Sequence, residues 1–147
     1  MSKKLSMTLL SASDSEVIIP LISQLNPSLS EKEISSMQQR MFEMENYRCF
    51  GLYSDEKLVG VSSGWITLRF YSGLQLEVDN VIIDQTYHSN GFGKVLFKEI
   101  ESWAKENKCE SVELNTYVEN RKSHKFYHMN GYSIFGYHFC EYCVHLD

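Results

Sequence analysis

Hydrophobic and polar residues alternate along this chain with two different periods, and these periods predict the order of its strands and helices. Residues 7–10 alternate weakly and predict a first strand. Residues 15–25 place apolar side chains on one side of a helix, in which Pro20 has to lie in the first turn or at a kink. Ser30 and Glu33 have the spacing of a capping box and open a second helix, whose stripe of methionine side chains is expected to lie in the core.

A meander of three antiparallel strands is predicted next, because three apolar segments are separated only by short polar turns. The pattern then changes to an amphipathic helix, a strand, a short helix and one or two final strands. The predicted strands are residues 49–53, 58–70, 74–84, 111–117 and 132–144, and the predicted helices are residues 94–106 and 121–129. The expected organisation is one mixed α/β domain over residues 1–147, without repeats or linkers.

The turn between the last strand of the meander and the helix is the strongest functional signal. It reads His88-Ser89-Asn90-Gly91-Phe92-Gly93-Lys94. Gly91 and Gly93 allow positive φ and a close approach of a ligand to the backbone, and the helix N-terminus offers unpaired N–H groups to an anion. Lys94 adds a positive charge. The turn lacks the Ser or Thr that follows the lysine of a P-loop and the third glycine of a dinucleotide fingerprint, so a diphosphate site of another kind is predicted.

Residues 77–132 resemble the GNAT superfamily of N-acetyltransferases in two motifs. The acyl-CoA loop of that family reads Arg/Gln-x-x-Gly-x-Gly/Ala after a strand, and residues 88–93 match it with His88 in the first position. The second signature reads Asn-x-x-Ala-x-x-Phe/Leu-Tyr, followed by Gly-Phe/Tyr. Here it reads Asn120-Arg121-Lys122-Ser123-His124-Lys125-Phe126-Tyr127, then Gly131-Tyr132. The motifs occur in the order of the family, with one helix and one strand between them.

The resemblance implies a GNAT fold, in which helices flank a central mixed, mostly antiparallel sheet and a parallel pair of strands splays apart at the acyl-CoA site. It also implies acetyl-CoA as the cosubstrate. The diphosphate would lie on residues 88–94, the pantetheine arm would bond to Asn120 and to the main chain of Val81 and Ile83, and the sulfur would lie near Tyr127. Asn120 also has the side chain of a helix cap.

Glu77 and Tyr127 are the predicted catalytic residues. An alkylammonium ion has a pKa of about 10, so a base has to accept its proton before the amine can attack a thioester. Glu77 matches the position of the catalytic glutamate in some GNAT members; Asp79 is an alternative, and the base can act through a water. A period of two predicts that Glu77, Asp79, Val81 and Ile83 share one face of their strand. Tyr127 is the motif tyrosine, which by resemblance protonates the departing thiolate.

Composition narrows the class of partner. Of the 147 residues, 43% are hydrophobic and 22% are charged, as in ordinary globular domains, and the net charge is −5. The sequence has no basic patch for nucleic acid, no apolar segment long enough to span a membrane and no signal-peptide core, so a cytoplasmic location is expected. Cys140 and Cys143, with His138 and His145 nearby, lie on a predicted strand that sends them to both faces, so no metal site is predicted.

The sequence therefore predicts an acetyl-CoA-dependent N-acetyltransferase acting on a primary amine of a small, cationic molecule. No cysteine or serine stands out as a nucleophile, which favours direct transfer in a ternary complex. The alternatives are a non-catalytic CoA-binding sensor or regulatory domain of the same fold, and an acetyltransferase of protein or peptide amines. A homodimer is left open, since the final strands of GNAT proteins often pair across one.

Overall fold

The computed structural model describes residues 4–141, and the chain divides into two compact units, Met1–Leu114 and Asn115–Asp147. The elements of the first unit are β1 (Leu5–Leu9), α1 (Ser15–Leu25), α2 (Glu31–Phe42), β2 (Tyr47–Ser54), β3 (Lys57–Arg69), β4 (Gly73–Ile83), α3 (Phe92–Glu106) and β5 (Ser111–Leu114), with 3₁₀ turns at Ala12–Asp14 and Gln85–Tyr87. The second unit contains α4 (Arg121–Met129).

The five strands form one sheet in the order β1-β2-β3-β4-β5. Neighbouring strands are antiparallel, except that β4 and β5 run parallel. The mixed, mostly antiparallel sheet expected from the sequence is therefore confirmed. The parallel ladder joins Gln75–Val78 to Ser111–Leu114, whereas β4 continues to Ile83. Within the described residues, the last part of β4 thus extends past its parallel neighbour.

Helices cover both faces of the sheet. On one face α3 buries Leu96, Phe97 and Ile100, and the ring of Trp103 meets that of Phe50 on β2 with the centroids 5.1 Å apart. On the other face, α1 and α2 pack over a second cluster of apolar side chains. Its buried members are Leu10, Ile18, Leu21, Tyr47, Cys49, Leu58 and Val61. This second face matters for function because it also carries the two candidate bases.

The predicted helix α1 is confirmed over residues 15–25, with Pro20 in its interior. The capping box of α2 is also confirmed, since the Ser30 hydroxyl accepts from the Glu33 N–H at 3.1 Å. The expected methionine stripe is wrong in part. Met41 packs against the core, but Met37 and Met44 are 46% and 50% exposed. For Met37 the reason is register, because Ile34 and Gln38 take the buried positions one turn apart, and Met44 lies beyond the end of α2 at Phe42.

The C-terminal strands depart from the prediction. β5 ends at Leu114, three residues before the predicted end, and residues 132–141 contain no strand, while residues 142–144 of the predicted segment lie outside the described residues. Alternating aromatic side chains predict a strand only where a ladder partner exists. Phe135, Tyr137 and Phe139 are instead open to solvent, with 87%, 91% and 90% of their surface exposed. The short helix α4 is confirmed over residues 121–129.

Candidate active site

A β-bulge interrupts β4 directly before the loop. Val61 on β3 pairs with Ile82 and Ser63 pairs with Asp79, so Ser62 lies opposite two residues, Asn80 and Val81. Asn80 adopts a left-handed backbone with φ of 50°. A bulge of this kind leaves one residue without a cross-strand counterpart and turns the strand locally. It also changes which main-chain groups point away from β3.

The bulge corrects the predicted alternation along β4. Glu77 and Asp79 do share a face, because their partners on β3, Trp65 and Ser63, are two residues apart. Ile83 lies on the opposite face, since it pairs with Gly60 and an added Cβ at Gly60 would lie only 2.6 Å from Ile83 Cδ1. The one-face prediction for Glu77, Asp79, Val81 and Ile83 is therefore wrong beyond Asp79. The extra residue of the bulge shifts the period of two.

A network of hydrogen bonds fixes the turn that follows β4. The carboxylate of Asp84 accepts from the N–H of Thr86 at 3.1 Å and from its hydroxyl at 2.9 Å. The side chain of Gln24 on α1 donates to Asp84 at 3.4 Å and accepts from the N–H of Gln85 at 3.0 Å. The bond from the Thr86 N–H is the main cause that lowers the pKa of Asp84. The turn is thus attached to the first helix.

The loop then ends at an open helix N-terminus. Ser89 and Gly91 have positive φ, and Gly91, with φ 75° and ψ 13°, is the N-cap residue of α3. Among the described residues no side chain caps this helix, whose first internal bond runs from the Val95 N–H to the Gly91 carbonyl. The N–H groups of residues 91–94 are consequently available to an anion. Positive φ was expected at both glycines, but Gly93 lies in the first turn of α3 and does not have it.

Aromatic and histidine side chains support this loop. Phe92 stacks on Tyr87 with the ring centroids 5.7 Å apart, and Lys57 Nζ lies 5.1 Å from the Tyr87 ring. His88, the residue at the Arg/Gln position of the motif, places Nε2 at 2.9 Å from the carbonyl oxygen of Ile83. Because a carbonyl only accepts, Nε2 is the donor in this bond. His88 therefore ties the loop back to the end of β4.

The candidate bases lie on the face of β4 that α1 and α2 cover. Glu77 is half-buried and pairs with Trp65 on one side and with Glu113 on the other. Asp79 is exposed, and its carboxylate accepts from the N–H of Asn80 at 2.8 Å. A carboxylate at either position has the chemistry of a general base for a neighbouring amine.

A buried hydroxyl pair lies next to Asp79. The hydroxyl of Tyr47 and that of Ser63 are 2.7 Å apart. Burial raises the pKa of Tyr47 far above its usual range, with a further contribution from the negative charge of Asp79. Tyr47 therefore stays protonated at neutral pH and serves as a fixed hydrogen-bonding group rather than as a base.

The second unit carries the two residues of the second motif. Asn120 Oδ1 accepts from the N–H of Ser123 at 3.2 Å, so its predicted capping role is confirmed. Tyr127 is half-buried among aromatic rings, with its centroid 5.6 Å from Phe126 and 5.9 Å from Tyr132. Burial raises the pKa of Tyr127, which keeps the phenol protonated and able to donate.

Sequence reasoning missed the contributions of Gln24, Trp65 and Glu113. The pairing of Trp65 and Glu113 with Glu77 follows from strand register, and register becomes known only when the sheet is built. The turn at Asp84 had a readable signal, because an Asp two residues before a Thr is a common turn and cap pattern. Gln24 lies 60 residues before Asp84 in the chain, so no local pattern could connect them.

Within residues 4–141, no three His, Cys, Asp or Glu side chains come together in a way that could hold a metal ion. No helix within the same residues is long and apolar enough to cross a membrane.

Comparison with known proteins identifies the family. The model of the Acetyltransferase (GNAT) family matches residues 18–132, which is most of the chain, and the chain belongs to this family of acyltransferases. A curated relative, the uncharacterized N-acetyltransferase YhdJ of Bacillus subtilis (strain 168), is 22% identical over 108 residues, covering 74% of this chain and 76% of the relative. The GNAT resemblance of the two motifs is thereby confirmed.

Solved structures show the same fold. Aminoglycoside N-acetyltransferase AAC(6')-Iy in complex with CoA superposes with a TM-score of 0.85 at 14% identity, over 98% of this chain and 97% of the other. Glucosamine-6-phosphate N-acetyltransferase from Arabidopsis thaliana gives 0.72 at 20% identity, over 95% and 99%. Ribosomal-protein-alanine N-acetyltransferase from Brucella melitensis gives 0.81 at 15% identity, over 95% and 100%. The names of these three proteins give different acceptors, so the fold does not determine the acceptor.

Proposed function

We propose that this protein transfers the acetyl group of acetyl-CoA to a primary amine of a small, cationic molecule, by direct transfer in a ternary complex. The observation that carries the proposal is the order of the bulge, the turn and the helix N-terminus from β4 to α3. A bulged strand that extends past its parallel neighbour leads through a fixed turn to an uncapped helix N-terminus. This arrangement offers main-chain groups to an extended amide chain and N–H groups to a diphosphate.

We assign acetyl-CoA as the substrate that binds the main-chain groups of β4 and the N–H groups at the start of α3. The N–H groups of residues 91–94 and the charge of Lys94 would bind the diphosphate, and His88, Ser89 and Asn90 form the approach to it. The main chain of Val81 and Ile83 would bond to the pantetheine arm. In the second unit, Asn120 would bond to the same arm. The CoA complex of the aminoglycoside acetyltransferase supports this choice of substrate.

The proposed reaction needs one base and one acid. Glu77, directly or through a water, takes a proton from the ammonium group, and the neutral nitrogen then attacks the thioester carbon. The carbon–sulfur bond breaks as the intermediate collapses, and Tyr127 gives its proton to the thiolate. The second proton that the nitrogen loses on becoming an amide restores the Tyr127 phenol. A main-chain N–H of β4 stabilises the oxyanion. The Tyr127 phenol is protonated at neutral pH, as an ordinary tyrosine is, so it has a proton to give to the thiolate.

Direct transfer is favoured over an acyl-cysteine intermediate. Burial raises the pKa of the Cys49 thiol to about 12 and also raises that of Cys109. Neither is then a thiolate at neutral pH, and the thiolate is the nucleophilic form. We assign a cationic acceptor because the carboxylates of Glu77 and Asp79 share one face of β4 and because the net charge of the protein is −5. We propose a cytoplasmic location for this reaction.

Calorimetric titration with acetyl-CoA, followed by thiol release with a panel of amines, tests the proposal. Wild type is expected to bind one acetyl-CoA per chain and to release thiol only with an amine present. Glu77→Gln should lower kcat by about 100-fold or more, the usual contribution of a general base, without changing acetyl-CoA affinity. The matched control Glu99→Gln alters an exposed carboxylate on α3 and should leave both unchanged.

Each failure has its own meaning. Absence of binding at millimolar acetyl-CoA would refute the proposed substrate. Binding without turnover of any amine would identify a non-catalytic CoA-binding protein instead. Full activity of Glu77→Gln would leave the reaction standing and remove Glu77 as its base.

A further inference from the structure

One row of directly paired residues crosses four strands on the face that carries the candidate bases. Tyr47 on β2 pairs with Trp65 on β3, Trp65 pairs with Glu77 on β4, and Glu77 pairs with Glu113 on β5. Directly paired residues lie on the same face, and neighbouring strands are about 4.8 Å apart. The row therefore has an aromatic half and an acidic half, which meet between Trp65 and Glu77.

The aromatic half is a connected set of rings. Phe42, at the end of α2, meets Tyr47 edge-on with the centroids 5.4 Å apart. Tyr47 meets Trp65 with the centroids 4.8 Å apart and the planes tilted by 55°. Tyr47 is buried, whereas Trp65 is only half-buried and keeps part of its surface open. The two inner rings thus hold the indole at the position next to Glu77.

The acidic half places two half-buried carboxylates on adjacent strands. Glu113 lies beside Glu77, and its carboxylate accepts from the Ser111 hydroxyl at 3.3 Å. An amine that approaches Glu77 therefore lies between an indole on one side and a second carboxylate on the other. Both neighbours favour positive charge, and only the indole also offers apolar surface to the methylene groups of an alkyl chain.

We propose that Trp65 is a specificity-determining residue of the acceptor site, and that the preferred acceptor is an alkyl diamine with two positive groups. One amine reacts at Glu77, and the second, unreactive ammonium group lies over the Trp65 indole. The reacting nitrogen lies at the carboxylates and has to give up its proton to Glu77, so the cation–π contact belongs to the nitrogen that stays charged. One strand spacing of about 5 Å separates the two positions, which suits a chain of three or four methylenes.

This inference rests on the proposed acetyl transfer, and a pair of acceptors with the same four-carbon chain tests it. Butane-1,4-diamine and n-butylamine differ in the second amine alone. For wild type, kcat/KM is expected to be about tenfold higher for the diamine after correction for its two equivalent amines. The difference is expected to lie in KM, with kcat similar for the two acceptors. Trp65→Leu should bring the ratio close to one, and Trp65→Phe should keep part of it. Acetyl-CoA affinity should be unchanged in both variants, which also reports that they fold.

Trp103 supplies the matched control, because it is the other of the two tryptophans and contacts Phe50 on the opposite face of the sheet. Trp103→Phe should leave the ratio as in wild type. That variant also has Trp65 as its single tryptophan, so its fluorescence reports binding at Trp65. The diamine should quench it at lower concentration than butylamine does.

A ratio near one in wild type, or a wild-type ratio in Trp65→Leu, would overturn the role of Trp65. If no amine is acetylated, the proposed reaction fails, and the fluorescence titration then decides the inference separately. Tighter binding of the diamine to Trp103→Phe would preserve the cation site, and equal binding of both amines would overturn it.

Discussion

Gly91 is the single residue on which the geometry of the loop depends most. Its φ of 75° lies in the left-handed region, and no heavy atom lies within 4 Å of the place where a Cβ would be. Gly91→Ala should therefore cost about 1 kcal/mol of unfolding free energy through backbone strain alone. Gly91→Asn should cost less, because Asn tolerates this conformation. Urea denaturation of the three proteins measures both differences.

The same two variants test close approach of a phosphate to the loop. A side chain at position 91 would occupy space that the diphosphate needs, and an Asn at this N-cap would also accept from the N–H groups of α3. Acetyl-CoA affinity should thus fall in both variants, although only Ala loses much stability. Wild-type affinity in Gly91→Asn would show that the phosphate does not approach this position.

At the residue scale, the sequence predicted features that depend on local chemistry. Asn120 and Ser30 cap their helices as expected, because a cap is formed within three or four residues. The position of Ile83 was predicted wrongly because Asn80 takes a left-handed backbone in the bulge. Asn adopts this conformation more often than most residues, but the sequence gives no reason to place a bulge there. The catalytic roles of Glu77 and Tyr127 stay predictions.

At the scale of elements, the attachment of α1 to the turn after β4 can be tested through Asp84. Its pKa is lowered, chiefly by the bond from the Thr86 N–H. A carboxylate with a lowered folded-state pKa contributes stability that is fully present above its unfolded pKa and is lost as pH falls through the folded value. Asp84→Asn should therefore be less stable than wild type at neutral pH. The difference should shrink as pH is lowered from about 5 to about 3.

Urea denaturation across this pH range gives the measurement, and Glu56→Gln, in the exposed turn between β2 and β3, is the control. The control should show no such trend. A difference between wild type and Asp84→Asn that stays constant with pH would mean that the charge of Asp84 does not stabilise the turn.

The same turn can be tested from its α1 side. Gln24→Ala should lower acetyl-CoA affinity, because the Gln24 side chain holds the turn through Asp84 and Gln85.

Elements were predictable where a period of hydrophobicity extended over many residues. Both α1 and α4 match their predicted bounds. The final strand was predicted from alternating aromatics, but a strand forms only with a neighbour, and residues 132–141 have no ladder. Pairing partners distant in sequence are the information that periodicity lacks. For the same reason, the row from Tyr47 to Glu113 could not be seen before the sheet order was known.

At the scale of the whole molecule, the net charge of −5 gives a prediction about association with the acceptor. A negative protein attracts a cation from a distance, and salt screens this attraction. Raising ionic strength from about 0.01 M to about 1 M shortens the Debye length from ~30 Å to ~3 Å. The value of kcat/KM for an alkylamine acceptor should fall over this range. The fall should be steeper for butane-1,4-diamine than for n-butylamine, because the diamine carries twice the charge.

The value of kcat at saturating acceptor separates this effect from a change in the enzyme itself. Screening acts on the encounter, so kcat should change little while kcat/KM falls. Equal salt dependence for the two amines would contradict long-range attraction by the protein's charge. The preference for a diamine would then have to come from short-range contacts such as the one proposed at Trp65, which salt screens far less because the indole is half-buried.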